Sequence, residues 1–598
     1  MLTFAHSLVK KSYTIIIKMQ NKLLFGVLAG TLALTSCNNK LGSLSADNFT
    51  VTPSPLEAVS GKVPFDINGR FPEKYMKKKA VLKLKPVIRY AGKVADQAQY
   101  AAFQGEKVQG NDQEISYKLG GNFSNRYNFT FEPGMEKSEL WLEFDGQVGK
   151  KKANVPAVKI ADGVLATSEL LKSTVTSAHT QIAADKYQYA IKQTKQAQIK
   201  YLINQANIRN SELKSTSVQD FIKTLREIKA DQKGYMLDNI EVSAYASPDG
   251  GMKLNTALAQ NREKTSKGYV GKQLKAAKLD ADVDSKYTAE DWEGFKELVS
   301  QSNIQDKDII LRVLSMYEDP EEREQQIRNL SAGYKELADE ILPELRRARL
   351  TINYNLIGRS DDEIEEQYKA DASKLSVEEL LYAATLTEDI AEQKDIYTKT
   401  STLYPDDYRA YNNLATLAYQ QGDLTTAKNY LAQVPASQAD APEVNANLAL
   451  IAMAEGNNEA ANNYLMKATS TENYNEVLGN LQVAAGNYAK AANCLKGVKT
   501  NTAALAQILN KDYTSAANTL KAIASPDATT SYLKAIVAAR TNQDAAVVSN
   551  LKDAFAKDSS LKKRAANDLE FVSLFNDVTF QSIVRVQQAM CYWHLSVN

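Results

Sequence analysis

Apolar residues recur at every second position in the first third of the chain and at helical spacing in the last third. Leu82 and Leu84 alternate with Lys83 and Lys85, and Tyr127, Phe129 and Phe131 alternate with Asn128 and Thr130. Leu140, Leu142 and Phe144 fall on one side of a third run, with Trp141 and Glu143 on the other. Period two means strands with one buried face. Gly120-Gly121, Pro133-Gly134 and Asp145-Gly146 break the runs and supply turns. Residues 50–165 are therefore predicted to form a small β-sandwich-like domain. A linker around Pro53 and Pro55 leads into it, and the Lys77–Lys79 and Lys150–Lys152 triplets read as solvated turns.

The pattern turns mixed over residues 195–358. Ile199, Tyr201 and Ile203 alternate. Val218, Phe221, Ile222 and Leu225 share one face of a helix predicted over 217–229, with Ser217 as its N-cap. A strand over 240–245 ends in the turn 246–251, and a second helix carries Asn255, Leu258, Asn261 and Arg262. Leu350, Ile352 and Tyr354 mark a closing strand over 348–356. This order predicts an α+β domain. Residues 287–343 read as a helical insertion in which Trp292 and Phe295 pack the core, and 166–194 as a helical linker.

From 374 to 598 alanine and asparagine rise. Gly422, Gly456 and Gly486 each close one helix and open another, at intervals of 34 and 30 residues. Such a period predicts a solenoid. Tyr411-Asn-Asn-Leu414-Ala415, Ala418-Tyr419, Gly422-Asp423, Ala427 and Tyr430 resemble a tetratricopeptide repeat. A second copy runs through Ala446, Leu448, Ala449, Ala452, Gly456, Ala460 and Tyr464, and a third through Leu478, Leu481, Gly486, Tyr488 and Ala491. Weaker copies follow, with Asn510-Lys511 at one turn. Four to six repeats fit, and Cys591–His594 caps them. Stacked helix pairs of this type leave a groove for a protein partner; Tyr411, Asn412 and Asn445 are the candidate lining residues.

The N-terminus reads as an export signal over residues 1–36, with Met19 as the natural start and 37–49 as anchor and linker. Lys22 precedes an apolar run from Leu23 to Leu34, and no acid occurs before Asp47. Such a run is short of the roughly 20 residues that span a bilayer. Leu34-Thr35-Ser36-Cys37 resembles the lipobox of bacterial lipoproteins. That resemblance implies cleavage before Cys37 and acylation of its sulfur and amino group, an anchor of several chains. Asn38-Asn39-Lys40-Leu41 holds no acid. It lacks the acidic export tag of Bacteroidetes lipoproteins, which points to the periplasmic face of the outer membrane.

The string from Tyr245 to Arg262 resembles the signature of OmpA-like domains. Gly250, Asn255, Leu258 and Arg262 match that signature in register. The resemblance implies binding of the diaminopimelate stem of peptidoglycan, with Arg262 on the ligand carboxylate and the acid of the turn on its ammonium. A guanidinium fork suits a carboxylate. The same register puts Ser247 where the family has its Asp, and Asp249 stands two positions later in the same turn. The turn Ala-Ser-Pro-Asp-Gly and the insertion resemble Bacteroidetes members of the family.

Composition narrows the chemistry. Without the four lysines of the leader, 68 basic residues face 71 acidic ones, a net charge of −3. Near-neutrality gives no basis for nucleic-acid binding. Cys494 lies on an apolar helical face as a buried thiol, and Cys591 is the other cysteine of the mature chain. His179 and His594 have no metal-ligand spacing, and no phosphate loop or nucleophile elbow is present. The expectation is a multidomain, non-enzymatic lipoprotein without a cofactor. It would tether to peptidoglycan through Arg262, Asp249, Ser247 and Asn255 and recruit a protein through its repeats. The alternative is a docking subunit of an outer-membrane assembly or secretion complex that binds no cell wall.

Overall fold

The computed structural model describes residues 41–304, 306–329 and 331–585. The export signal, Cys37, Cys591 and His594 lie outside the described residues. The chain divides into two compact units. One runs to Gln181 and takes in Ala418–Ala432 and everything from Ser437; the other holds Ile182–Leu417 and Gln433–Ala436.

In the first unit the period-two runs form two sheets. One orders Phe49–Thr52, Lys62–Phe71 and Gly121–Thr130. The other orders Lys151–Ala153, Ser138–Val148, Ala80–Tyr90, Ala101–Gly105 and Gln113–Ile115. Leu82, Leu84, Phe129, Leu140 and Leu142 are fully buried between them, and Phe131 and Phe144 pack at the margin of the same core. Trp141 faces outward, beneath the Arg89 guanidinium at 4.7 Å.

After the sandwich the chain turns helical only briefly, over Thr167–Ser177. The helical linker expected over 166–194 is therefore corrected. From Ala178 to Tyr189 the backbone is not helical, and residues 190–194 already belong to the strand Ala190–Lys200. The reason is that side chains of the repeat helices take up the backbone groups of this segment, as described below. A helix would have turned those groups inward.

The second unit holds a four-stranded sheet ordered Ala190–Lys200, Arg347–Ile357, Tyr235–Tyr245 and Asp282–Thr288. All neighbours are antiparallel except the last pair, which is parallel. Helices Thr216–Ala230 and Met252–Ala277 join one core with it, built on Val218, Phe221, Leu225, Val270, Ile240, Val242, Leu350 and Ile352. The first helix starts after Ser215, not at Ser217. The strand Asp282–Thr288 is absent from the sequence reading, because it lies at a sheet edge and buries none of its side chains fully. Among its described residues the insertion holds short helices, from Trp292–Gln301 to Leu342–Leu345, and has its own core of Phe295, Val299, Ile310, Ile327, Leu337 and Leu345. Trp292 and Phe295 meet edge to face at 5.6 Å inside it.

The C-terminal region is helical and resembles a tetratricopeptide solenoid, its helices following one another from Val377–Ala383 to Asp544–Lys557. In the first unit these include Pro442–Ala454 with Asn458–Leu465, Tyr474–Ala484 with Tyr488–Cys494, and Asn501–Leu509 with Tyr513–Ala522. Gly422, Gly456 and Gly486 sit at the turns with φ of 78°, 80° and 77°, the left-handed backbone that ends a helix at low cost only for glycine. Lys511 and Asn542 hold the same position in later pairs, at φ 63° and 57°. Asparagine tolerates this backbone better than lysine does. Lys511→Gly is expected to stabilise the array by about 0.5–1 kcal/mol, read as a higher urea midpoint; an unchanged or lower midpoint would rule out strain at that turn. Cys494, expected to be buried, is a half-buried free thiol.

Candidate functional site

Two places in the structure are candidate sites. The first is the turn Ala246–Gly251 at the end of the strand Tyr235–Tyr245. Arg262, ten residues into the long helix, is only 1 % exposed. Its Nε donates to the Gln205 carbonyl at 3.0 Å, Nη1 to the Tyr245 carbonyl at 2.9 Å and Nη2 to the Leu202 carbonyl at 3.3 Å. The Tyr201 ring lies 5.2 Å from the guanidinium carbon. Burial pushes the pKa of Arg262 down to about 10, which leaves it charged at neutral pH. Each of its three guanidinium nitrogens thus donates to a backbone oxygen of its own domain.

Asp249 is engaged as well. Its Oδ2 accepts from Arg346 Nη2 at 2.9 Å, in an ion pair whose side chains are 16 % and 12 % exposed. The Ser247 hydroxyl donates to Asp249 Oδ1 and accepts from Arg346 Nε at 3.3 Å. Arg328 Nη2, from the insertion, donates to the Asp249 carbonyl at 2.8 Å. Asn255 Nδ2 donates to the Gly250 carbonyl at 2.6 Å and closes the turn from inside. Ser247, Asp249, Asn255 and Arg262 are therefore gathered around one turn. Arg346, which supplies the countercharge, was not among the residues singled out from sequence.

The second place is the face formed by the first helices of the repeat pairs. In the first unit this face carries the segment Thr174–Gln181. Asn447 receives the Gln181 N–H on Oδ1 at 2.8 Å and donates from Nδ2 to the Gln181 carbonyl at 2.9 Å. Glu476, 6 % exposed, takes the His179 N–H at 3.0 Å and contacts His179 Nδ1 at 2.8 Å. Asn473 Nδ2 donates to the His179 carbonyl at 2.8 Å. Further along, the Asn501 N–H donates to Ser177 Oγ at 3.2 Å, and Tyr419 OH to the Val175 carbonyl at 2.6 Å. In the second unit Asn413 makes the same bidentate contact, to the N–H and carbonyl of Ala183 at 2.8 and 3.0 Å.

The candidates Tyr411, Asn412 and Asn445 do not line this face. Asn412 is fully buried with Nδ2 on Asn413 Oδ1 at 3.2 Å. Asn445 Nδ2 donates to the carbonyls of Ala439 and Ala441, both at 2.9 Å. The Tyr411 hydroxyl lies 3.4 Å from the Ser401 carbonyl. One or two steps along the same helices turn the side chain by about 100° each, which separates these packing residues from Asn413 and Asn447. A signal for the correct positions existed: Asn-Leu recurs at Asn413-Leu414, Asn447-Leu448 and Asn480-Leu481, spaced 34 and 33 residues apart.

These features define a repeat-array protein with appended β-sandwich and α/β parts. Solved structures similar to it include a tetratricopeptide repeat protein from Parabacteroides merdae, at 12 % identity and TM-score 0.26, covering 44 % of this chain and 98 % of that one. The anaphase-promoting-complex hetero-tetramer Cut9-Hcn1 matches at 14 % identity and TM-score 0.27, covering 56 % and 76 %. Yeast Tom70 matches at 13 % identity and TM-score 0.19, covering 61 % and 87 %. No protein-family model and no curated protein matches the chain.

Proposed function

We propose that the chain is a non-enzymatic interaction scaffold, lipid-anchored at Cys37 on the periplasmic face of the outer membrane, whose α/β domain docks proteins and does not grip peptidoglycan. The observation that carries this reading is the state of the charge pair. A diaminopimelate stem offers a carboxylate and an ammonium, and its receptor needs a free cation and a free anion in one pocket. Arg262 faces three carbonyls, and Asp249 is neutralised by Arg346. To take the ligand carboxylate, Arg262 would have to release the carbonyls it holds, and each buried acceptor left unpaired costs about 1–3 kcal/mol.

The full mature chain is accordingly expected to stay in the supernatant when purified diaminopimelate-type peptidoglycan is pelleted. Sedimentation that free diaminopimelate competes away would restore the tether. Cys37→Ser is expected to move the protein from the membrane to the soluble fraction; retention at the membrane would remove the anchor from the proposal.

A further inference from the structure

The peptide carried by the repeat helices is unusual in being part of the same chain, and one of its contacts is incomplete. Asn447 meets the main-chain N–H and carbonyl of Gln181. The next asparagine of that series, Asn480, stands 33 residues further on in the helix Tyr474–Ala484. It is 0 % exposed, and neither its Oδ1 nor its Nδ2 has a hydrogen-bond partner. A buried amide without partners is an exception in folded proteins. Here Asn473 and Glu476 hold His179 in its stead. The resident segment thus leaves one rung of the ladder empty.

The His179 side chain adds a contact of its own to this face. Glu476 is buried, and its carboxylate meets an imidazole that is 66 % exposed. A lysine or arginine in that place would bring a permanent positive charge, and a charge-assisted hydrogen bond, to a desolvated carboxylate.

We propose that the face built by Pro442–Ala454, Tyr474–Ala484 and Asn501–Leu509 is a site for an extended protein segment, closed in cis by Thr174–Gln181. Its trans ligand is an extended segment from a partner protein with a basic side chain opposite Glu476. This inference rests on the scaffold reading and names how the scaffold takes a partner. The cis segment is tethered at both ends, so its effective concentration is in the millimolar range. A free segment with only the same contacts loses to it. The two unmade bonds of Asn480 and the cation facing Glu476 are the surplus that lets a trans segment win.

The test uses the full mature chain and a fluorescein-labelled synthetic peptide with the sequence of residues 172–186, followed by anisotropy. Gln181→Pro removes the N–H that Asn447 receives and the side-chain oxygen that accepts from the Asn473 N–H, so it loosens the cis segment while leaving every residue of the repeat helices in place. It is expected to raise affinity for the peptide at least tenfold over wild type, and adding Asn447→Ala to abolish that gain. On Gln181→Pro protein, a peptide with His179→Arg is expected to bind at least tenfold tighter than the parent peptide, and one with His179→Glu tenfold weaker. If Gln181→Pro does not fold, His179→Glu in the protein loosens the same segment by placing a second carboxylate against Glu476. Equal peptide affinity across wild type and folded loosened variants overturns the proposal, as does a gain that survives Asn447→Ala. Envelope proteins that co-purify equally with wild type and Asn447→Ala protein would overturn this site while leaving the scaffold reading in place. Loss of those proteins in the variant supports both.

Discussion

Arg262→Met is expected to destabilise the α/β domain by about 3–5 kcal/mol, near the upper end of what single substitutions do. Methionine fills much of the same volume but donates no hydrogen bond. The carbonyls of Leu202, Gln205 and Tyr245 then lose the donors they have, and a buried acceptor left unpaired costs about 1–3 kcal/mol. Arg262→Lys keeps the charge but replaces a planar fork with a single ammonium, which cannot reach three diverging carbonyls at once; its loss is expected to fall between wild type and methionine. Hydrogen exchange of the strands Tyr235–Tyr245 and Arg347–Ile357 reads the domain directly, apart from the rest of the chain. The outcome separates two roles of one residue. A receptor arginine facing an empty pocket is a burden on the fold, and its removal is neutral or stabilising. A loss below about 1 kcal/mol would therefore argue for a receptor and against the buried, carbonyl-bound guanidinium.

How far the fold is legible in the sequence depends on how each residue contributes. Leu82, Leu84, Leu140 and Leu142 face one core at period two, so alternation locates their strands correctly. The repeat turns are legible for an equally local reason, because Gly422, Gly456 and Gly486 adopt a backbone that other residues resist. Lys511 and Asn542 adopt it without that marker, and there only the spacing shows the turn. The edge strand Asp282–Thr288 leaves no alternation to find, since its side chains are exposed or half-buried on both faces. The segment 178–189 is the opposite case. Its apolar positions suggest an element of its own, while its conformation is set by side chains more than 200 residues away, such as Asn413 and Asn447.

The candidate sites divide in the same way. The motif around Tyr245–Arg262 names Ser247, Asp249, Asn255 and Arg262, which lie around one turn. It does not predict their state, because Arg346 and the carbonyls of residues 202–205 come from segments that the motif does not include. A one-residue departure from the OmpA-like signature, Ser247 in the position of its Asp, is the visible sign. With the serine there, Asp249 becomes the acid of the turn, and its position lets it pair with Arg346. In the repeats, the sequence correctly pointed to asparagines on the first helices but chose the wrong face by one or two positions. Only a partner seated on the helices distinguishes Asn412 from Asn413, and here that partner is the chain itself.

Arg409→Met is expected to cost about 2–4 kcal/mol in the first repeats and to reverse how their stability depends on acid. Arg409 Nε donates to Asp407 Oδ1 at 3.0 Å, and Nη2 to Asp407 Oδ2 at 2.7 Å. Nη1 and Nη2 donate to the two oxygens of Glu378 at 2.9 and 2.8 Å. Glu378 also receives the Lys186 N–H at 2.6 Å, so the cluster ties down the segment after Ala183. The Arg409 guanidinium holds Glu378 below the usual carboxylate range. Burial pushes Asp407 up, and Arg409 more than offsets it, so that carboxyl too is held low. A carboxylate whose folded pKa is depressed adds stability above its unfolded value, near pH 4, and loses it as pH falls through the folded value. Wild-type protein is thus expected to lose protection in the helices Val377–Ala383 and Tyr408–Gln420 below about pH 4. Without Arg409, two carboxylates of like charge face each other in a partly desolvated place, and both pKa values rise above their unfolded values. Their contribution is then greatest below pH 4 and shrinks as pH climbs towards neutrality, so mild acid stabilises the variant where it does nothing for wild type. Hydrogen exchange of those two helices between pH 4 and 7 reads the sign. The same pH dependence in both proteins would show that Arg409 does not set the charge state of Asp407 and Glu378.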